Sequence, residues 1–325
     1  MWVIVVHGGA GTWNVSLKKA YKIAHVIKNS LSTGGSILNS GGSALDAVEA
    51  AVRVMEASGV LNAGLGSCLN IAGQVEMDAA IMDGDTLKGG AVACIKNVIH
   101  PVSAARKVME FTDHIVLSGE YATYFALKMN IEHTKNLINQ SKIRQYKKLL
   151  KEFKERGSKN VKVYEMMDSD ASFKTPSDIT INNEGNTVGA VALDSKGKLA
   201  AATSTGGMWL KLPGRIGDTP LLGAGTYANK YAAVSATGIG EHIIRIGIAL
   251  RVCDMVERGI LLQQAVKDAM NRITQLAGKN TAGIIAVDRY GNYTFDYNTP
   301  GMARGVLIEN KKPEIMIWDT KINIK

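Results

Sequence analysis

Apolar and polar residues recur along this chain with two different periods, which together predict a layered protein of helices and strands. Helical spacing occurs at 16–31, 45–57, 101–110, 120–129 and 240–257. Pairs of short apolar runs joined by turn residues predict β-hairpins at 74–95, 188–203 and 283–297. Another apolar run, Met1–Val6, predicts a first buried strand.

The hairpin strands are apolar on both faces. Val188–Leu193 reads Val-Gly-Ala-Val-Ala-Leu, and Gly283–Val287 reads Gly-Ile-Ile-Ala-Val. An antiparallel sheet with one face in water would alternate apolar and polar residues more strictly. Sheets buried on both faces imply two sheets packed together with helices outside. We therefore expect an α/β protein built as a four-layer αββα sandwich of two antiparallel sheets, in one domain.

A polar connector from about 136 to 186 interrupts this pattern. Its first part, Lys142–Lys162, is dominated by Lys, Glu and Arg, and Asp168–Gly185 by Asp, Ser, Thr and Asn. Part of the connector can be helical, but it has no strong strand pattern. A connector of this length inside a domain either has a function or is disordered. Thr187 follows it directly and opens an apolar strand.

Composition and charge narrow the possible classes of protein. The net charge of +9 permits acidic partners, but much of the surplus lies in the connector and no basic motif is interleaved with aromatic residues. We therefore expect no nucleic-acid partner. Three widely spaced cysteines, Cys68, Cys94 and Cys253, predict unpaired thiols in a reducing cytoplasm. The first apolar run is too short for a membrane span, and no basic segment of a secretion signal precedes it.

Hydroxyl groups are expected to gather around Thr187. Because the hairpin turn is centred near Lys196, strand pairing places Thr187 roughly opposite Ser204 and Thr205. Threonine is favoured in strands for its shape alone. Taken by itself, Thr187 is therefore better explained as structural than as catalytic.

The glycine-rich loop after this hairpin carries Arg215 and Asp218, three residues apart. A guanidinium group is suited to clamp a carboxylate, and a carboxylate can hold an ammonium group. Together they would bind the α-carboxylate and α-amino group of an amino acid. An ordinary salt bridge within the loop explains the same two residues equally well.

Two glycine-rich motifs are compatible with anion binding. Thr237-Gly-Ile-Gly-Glu opens a predicted helix, where backbone N–H groups and the Thr237 hydroxyl would suit a developing oxyanion. A threonine N-cap with closely packed glycines explains it as well. The segment His7-Gly-Gly-Ala-Gly is a weak phosphate-loop signal, since it lacks the Lys-Ser/Thr of a P-loop.

Eight motifs, taken in order, resemble the plant-type asparaginase and isoaspartyl peptidase family of N-terminal-nucleophile hydrolases. They are His7-Gly-Gly-Ala-Gly, Asn62-Ala-Gly-Leu-Gly, Met77-Asp-Ala-Ala-Ile-Met-Asp-Gly, Thr187-Val-Gly-Ala-Val-Ala-Leu-Asp, Thr203-Ser-Thr-Gly-Gly, Leu212-Pro-Gly-Arg-Ile-Gly-Asp, Gly223-Ala-Gly-Thr-Tyr-Ala-Asn and Thr237-Gly-Ile-Gly-Glu. Each motif alone is modest, but the ordered set is specific. Only the connector and the C-terminal tail lie outside it.

The resemblance implies that the chain cuts itself at the Asn186–Thr187 bond. Residues 1–186 would form an α-chain and residues 187–325 a β-chain, paired as an (αβ)2 homodimer. The freed α-amino group, with a pKa near 7.7–8.0, could serve as the base for the hydroxyl of the same residue. Many relatives have Gly, and some Asp, before the nucleophile, whereas this chain has Asn186.

The same resemblance assigns the remaining site residues. Arg215 would bind the substrate α-carboxylate and Asp218 its α-amino group, with Gly240 lining that pocket. Thr237 and Gly238 would form the oxyanion hole, to which Asn62 would contribute. Thr205 would orient Thr187. The expected substrates are L-asparagine and β-aspartyl dipeptides, and no cofactor is expected in catalysis.

One structural ion is implied by the resemblance. The loop at 55–65 matches the sodium-binding loop of the family, in which backbone carbonyl oxygens are the ligands. The corresponding residues are Met55, Glu56, Ser58, Leu61, Ala63 and Leu65.

Three alternatives remain open at this point. A glycosylasparaginase would tend to have Asn in the middle of the triplet that is Thr205-Gly-Gly here. A taspase-like threonine protease fits a zwitterion clamp poorly. A phosphate- or nucleic-acid-binding protein would use the glycine loops and the basic connector without any reaction.

Overall fold

The computed structural model describes residues 1–134, 137–138, 140–167, 187–319 and 321–322. The larger of its two sheets has the strand order β12-β11-β1-β5-β6-β2-β3-β4. Its strands are β1 Val3–Gly11, β2 Met77–Asp83, β3 Gly89–Ile95, β4 Val116–Ser118, β5 Val188–Leu193, β6 Leu199–Thr205, β11 Gly301–Ile308 and β12 Glu314–Met316. The pairs are antiparallel except β3–β4 at one edge, which is parallel.

The smaller sheet is antiparallel, with the order β10-β9-β8-β7. Its strands are β7 Thr226–Ala228, β8 Ala232–Gly238, β9 Ala282–Asp288 and β10 Tyr293–Tyr297. It faces the larger sheet across an apolar layer that includes Val5, Val191 and Ile285. This contact explains why the hairpin strands are apolar on both faces.

Helices cover the outer face of each sheet. Those packed on the larger sheet include α1 Leu17–Asn39, α2 Ala44–Ala57, α3 Pro101–Phe111 and α4 Gly119–Lys128. The smaller sheet is covered by α8 Ile248–Glu257 and α9 Leu262–Ala277, beside the short α7 Gly240–Ile246. The four-layer αββα sandwich predicted from the sequence is confirmed, and β4 adds a parallel pair to its edge.

The predicted helix at 240–257 is wrong as a single element. It divides into α7 and α8 at Gly247, which has a left-handed φ of +62°. A left-handed residue ends one helix, and glycine adopts this conformation without steric cost. The two halves can then take different directions at the edge of the smaller sheet.

The described part of the connector forms two helices, α5 Gln140–Glu155 and α6 Lys159–Met167. Apolar side chains of these helices, including Leu149 and Phe153, pack with Ile71 and Leu210 from loops next to the larger sheet. The later part of the connector, 168–186, lies outside the described residues. Among the helices of the described ranges, none has the length and apolar character needed to cross a membrane.

Candidate functional site

Thr187 lies immediately before β5, in the middle of the larger sheet between β1 and β6. Because Val188 pairs with Ser204, Thr187 is level with Thr205. Its Oγ1 donates a hydrogen bond to Thr205 Oγ1 at 3.1 Å, and the Gly207 N–H donates to the same Thr205 oxygen at 3.0 Å. Both threonines are buried. A fixed pair of hydroxyls therefore stands at the end of the strand.

Of the three hydroxyl groups expected together, those of Thr187, Ser204 and Thr205, the prediction is wrong for Ser204. Successive side chains of a strand point to opposite faces of the sheet. Ser204 therefore points away from Thr187 and lies towards the buried Glu56 carboxyl group. The prediction placed Thr187 roughly opposite both Ser204 and Thr205, whereas the observed register puts it opposite Thr205 alone.

Asn62 is held against the turn that follows β6. Its Oδ1 accepts a hydrogen bond from the Cys68 N–H at 2.8 Å, and its Nδ2 donates to the Gly207 carbonyl at 2.7 Å. The Gly206 N–H donates to the Asn62 carbonyl at 3.0 Å. Asn62 is thereby linked through Gly207 to the Thr205 hydroxyl, which places its amide beside the threonine pair.

Thr237 reaches the same region from the facing sheet. His7 pairs with Gly189 on β5, and its Nε2 lies 2.9 Å from Ser235 Oγ on β8. His7 thus aligns Gly189 of β5 with Ser235 of β8. Two residues further towards the same end of the sheets, β5 reaches Thr187 and β8 reaches Thr237. Consistent with this register, the Ala10 N–H lies 3.4 Å from Thr237 Oγ1.

The N-cap explanation of Thr237 is excluded, because this residue belongs to β8 and Ile239 is the residue that precedes α7. Gly238 has a φ of +148°, and a Cβ at this position would lie 2.1 Å from the Thr281 carbonyl oxygen. Only glycine therefore fits between Thr237 and the helix.

Arg215 and Asp218 do not form a salt bridge with each other. Arg215 instead makes a bidentate pair with Glu241, in which Nε and Nη2 each lie 2.9 Å from a carboxylate oxygen. The Oδ2 atom of Asp218 is buried and has no hydrogen-bond partner within the described part of the chain. The ordinary loop salt bridge is therefore excluded, and a buried carboxylate remains for another partner.

Gly240 separates these two charged side chains. A Cβ on Gly240 would lie 2.8 Å from Arg215 Nη2 and 2.9 Å from Asp218 Oδ1. The space between the guanidinium and the carboxylate therefore exists because glycine has no side chain. Nη2 of Arg215 and Oδ1 of Asp218 border this space.

Electrostatics sets Asp218 apart from an ordinary surface carboxylate. Burial raises the pKa of Asp218 to about 7, against the opposing effect of the nearby Arg215 charge. Burial by itself would lower the pKa of Arg215, but the Glu241 pair outweighs it and raises that pKa. The pocket thus holds a permanent cation beside a carboxyl group that a bound ammonium would help to ionise.

Two acidic residues that the sequence prediction missed accept hydrogen bonds from the backbone of the loop that carries Arg215. Glu76 Oε2 accepts a hydrogen bond from the Gly214 N–H at 3.0 Å. Asp78 Oδ2 accepts one from the Gly217 N–H at 3.3 Å, on the other side of Arg215. The signal was present in the sequence, since two carboxylates at the start of an apolar strand need buried partners.

The phosphate-loop interpretation of His7-Gly-Gly-Ala-Gly is wrong, because the segment is part of the buried strand β1. Burial lowers the pKa of His7 to about 3, and a hydrogen bond with the Thr187 backbone acts in the opposite sense. The imidazole is therefore neutral at physiological pH. Ser235, which it contacts, is in turn 2.7 Å from Thr203 Oγ1, so a buried polar chain crosses between the sheets behind Thr187.

The loop expected to bind sodium is closed by its own hydrogen bonds. Ser58 Oγ donates to the Met55 carbonyl at 2.7 Å, and the Leu61 and Ala63 carbonyls accept backbone N–H groups at 3.0 Å. A carbonyl oxygen has a second lone pair, so these bonds leave room for a cation. In the described ranges no group of His, Cys, Asp and Glu side chains could hold a metal ion. Neutral carbonyl donors fit a monovalent cation, and the site stays a prediction.

Comparisons with known proteins match nearly the whole chain. A family model described as asparaginase matches residues 1–317. A plant-type L-asparaginase of Pyrobaculum calidifontis is 44% identical over 307 residues, which cover 94% of this chain and 96% of that protein. A plant-type L-asparaginase of Pyrococcus horikoshii is 46% identical over 306 residues, covering 93% and 95%. An isoaspartyl peptidase of Escherichia coli is 40% identical over 308 residues, covering 93% and 91%.

Proposed function

Since the chain belongs to this asparaginase family, we propose that it hydrolyses L-asparagine and β-aspartyl dipeptides with Thr187 as its nucleophile. The observation that carries the proposal is the buried Asp218 carboxylate, whose Oδ2 has no hydrogen-bond partner among the described residues, facing the Arg215 guanidinium across Gly240. An α-amino acid head group supplies an ammonium for Asp218 and a second carboxylate for Arg215, beside the Glu241 carboxylate that already pairs with it. Its side-chain carbonyl then extends towards Thr187.

Activation would begin with the bond before Thr187. The Thr187 Oγ attacks the Asn186 carbonyl carbon, the C–N bond breaks, and an ester joins the two residues while the α-amino group is released. Water then hydrolyses the ester, which gives an Asn186 carboxylate and a free Thr187 hydroxyl. Asn186 lies outside the described residues, so this step rests on the position of Thr187 and on the family.

In turnover, the Thr187 α-amino group accepts the hydroxyl proton as Oγ attacks the substrate side-chain carbonyl. Thr205 Oγ1, 3.1 Å from Thr187 Oγ1, orients the attacking oxygen. The negative oxygen that develops would face the Thr237 hydroxyl, the Gly238 N–H and the Asn62 amide. The proton passes to the leaving nitrogen, so ammonia or an amino acid departs, and water then releases aspartate from the ester.

Gly206 favours this activity over that of a glycosylasparaginase. A Cβ at this position would lie 2.6 Å from both Asn62 Oδ1 and Ser67 Cβ. An asparagine side chain in the middle of the Thr205-Gly-Gly triplet would therefore displace Asn62. The proposed sodium ion would be held by the carbonyl groups at 55–65 and would fix the loop that carries Asn62, without taking part in the reaction.

The test is self-cleavage followed by ammonia release. After warming, a denaturing gel is expected to show fragments 1–186 and 187–325, and sequencing of the smaller fragment should begin at Thr187. Thr187→Ala should abolish both cleavage and ammonia release from asparagine. Thr33→Ala, an exposed threonine on α1, is the matched control and should retain both. Turnover by an uncleaved chain, or by Thr187→Ala, would refute the proposal.

A further inference from the structure

A second cavity lies next to the proposed reaction centre. It measures about 130 Å³, and its lining includes Asn62 and Leu61 together with Trp13 and Trp209. A cavity of this size has room for a ligand much larger than one water molecule, which takes up about 30 Å³ in the liquid. Arg215 and Asp218 are not among its lining residues. The cavity is therefore separate from the pocket for the α-groups.

Hydrogen bonds connect this cavity to both sides of the reaction centre. Asn62, in its wall, is joined through Gly207 to Thr205. Trp13, in another wall, donates from Nε1 to the Gly9 carbonyl at 3.0 Å. The next residue, Ala10, contacts Thr237. A group that leaves the carbonyl attacked by Thr187 would thus meet the cavity beside Asn62 and Thr237, two of the three residues assigned to the oxyanion hole.

The charge of the cavity points to an anionic ligand. Lys19 and Lys142 are part of its lining, which contains no Asp or Glu within the described residues. Lys142 lies over the Trp209 ring, 5.4 Å from its centroid, and donates a hydrogen bond to the Gly66 carbonyl. Burial lowers the pKa of Lys142. A carboxylate close to this ammonium would offset the cost of burying its charge.

We propose that this cavity is the leaving-group subsite and that it binds the amino acid released from a β-aspartyl dipeptide. Lys142 and Lys19 attract the α-carboxylate of that amino acid, and its side chain packs against Trp13 and Trp209. The inference rests on the proposed hydrolase function. Ammonia, the leaving group of asparagine, makes none of these contacts. The subsite therefore makes dipeptides with a free C-terminal carboxylate the favoured substrates.

The test compares kcat/KM for β-aspartyl-leucine, for the same dipeptide with a C-terminal carboxamide, and for asparagine. The carboxamide is expected to be about tenfold poorer than the free acid, equal to about 1.4 kcal/mol. Lys142→Gln and Lys19→Gln should each lower the ratio of free acid to carboxamide, whereas Lys142→Arg, which keeps the positive charge, should preserve it. Lys147→Gln, at an exposed lysine of the same helix as Lys142, is the control.

The possible outcomes separate the two proposals. Equal kcat/KM values for acid and carboxamide would overturn the subsite, as would an unchanged ratio in both glutamine variants. A loss of turnover for all three substrates in Lys142→Gln would mark damage to the fold, and the exposed Lys19→Gln then decides. If the cleaved native protein hydrolysed neither asparagine nor the dipeptide, the proposed function itself would fail.

Discussion

Asp218→Asn is expected to stabilise the protein at neutral pH while it damages substrate binding. The carboxyl group is buried, its Oδ2 has no partner among the described residues, and its pKa is raised to about 7 from an ordinary value of 3.8. Between these two pH values the native state holds a proton that the unfolded state has lost. Stability therefore falls as the pH rises through this window, because unfolding releases the proton that the buried native carboxyl group keeps.

The magnitude follows from the same two values. At about 1.4 kcal/mol per pH unit, the difference between 3.8 and about 7 corresponds to about 4 kcal/mol, lost gradually between pH 4 and pH 8. Asparagine has no charge to lose, so the variant escapes this loss. The free energy of unfolding of the variant, relative to the parent, should increase by up to this amount over the window.

The assay is urea unfolding at several pH values from 4 to 8, in a Thr187→Ala background that keeps both proteins uncleaved. The double variant with Asp218→Asn is compared with Thr187→Ala alone, and the exposed Asp113→Asn is the matched control. A stability difference that does not change with pH would refute the account of Asp218. In the active chain, the same substitution should raise KM for asparagine at least tenfold, since the ammonium loses its charged partner.

Two further predictions concern the pocket and its support. Gly240→Ala puts a methyl group 2.8 Å from Arg215 Nη2, so steady-state kinetics should show at least a tenfold higher KM for asparagine with self-cleavage retained; an unchanged KM would contradict the proposed position of the substrate. Asp78→Asn weakens the acceptor for the Gly217 N–H. We expect the free energy of unfolding to fall by about 1–3 kcal/mol and KM for asparagine to rise. A change in KM without any loss of stability would argue against a supporting role for Asp78.

Much of the fold could be predicted because turn chemistry and hydrophobic period fix local structure. The strand 188–193 has the predicted bounds, and the hairpin set Thr187 beside Thr205. The pattern that defines α9 is also in the sequence, with buried residues at Leu262, Ala265, Val266 and Ala269, but no helix was predicted there. The break at Gly247 needed knowledge of a backbone angle that glycine permits and does not require.

The sequence predicted which residues form the site, but it did not predict which of them contact one another. Spacing suggested that Arg215 and Asp218 act together, whereas the guanidinium pairs with Glu241, 26 positions away in sequence. Such a pair depends on how two loops meet after the sheets have packed. The register error at Ser204 has a similar origin, since a shift of one residue turns a side chain to the opposite face.

The strand order of the larger sheet determines how the two fragments would stay together after cleavage. If the chain is cut before Thr187, β1 from the first fragment remains inserted between β11 and β5 of the second, and β2 remains paired with β6. Three ladders would have to open before the pieces could part. Halves synthesised separately would each begin with bare sheet edges, which favour aggregation over correct pairing. We therefore expect cleavage to occur only after the intact precursor has folded. A cleaved molecule that unfolds would refold poorly, because its two fragments would have to pair again.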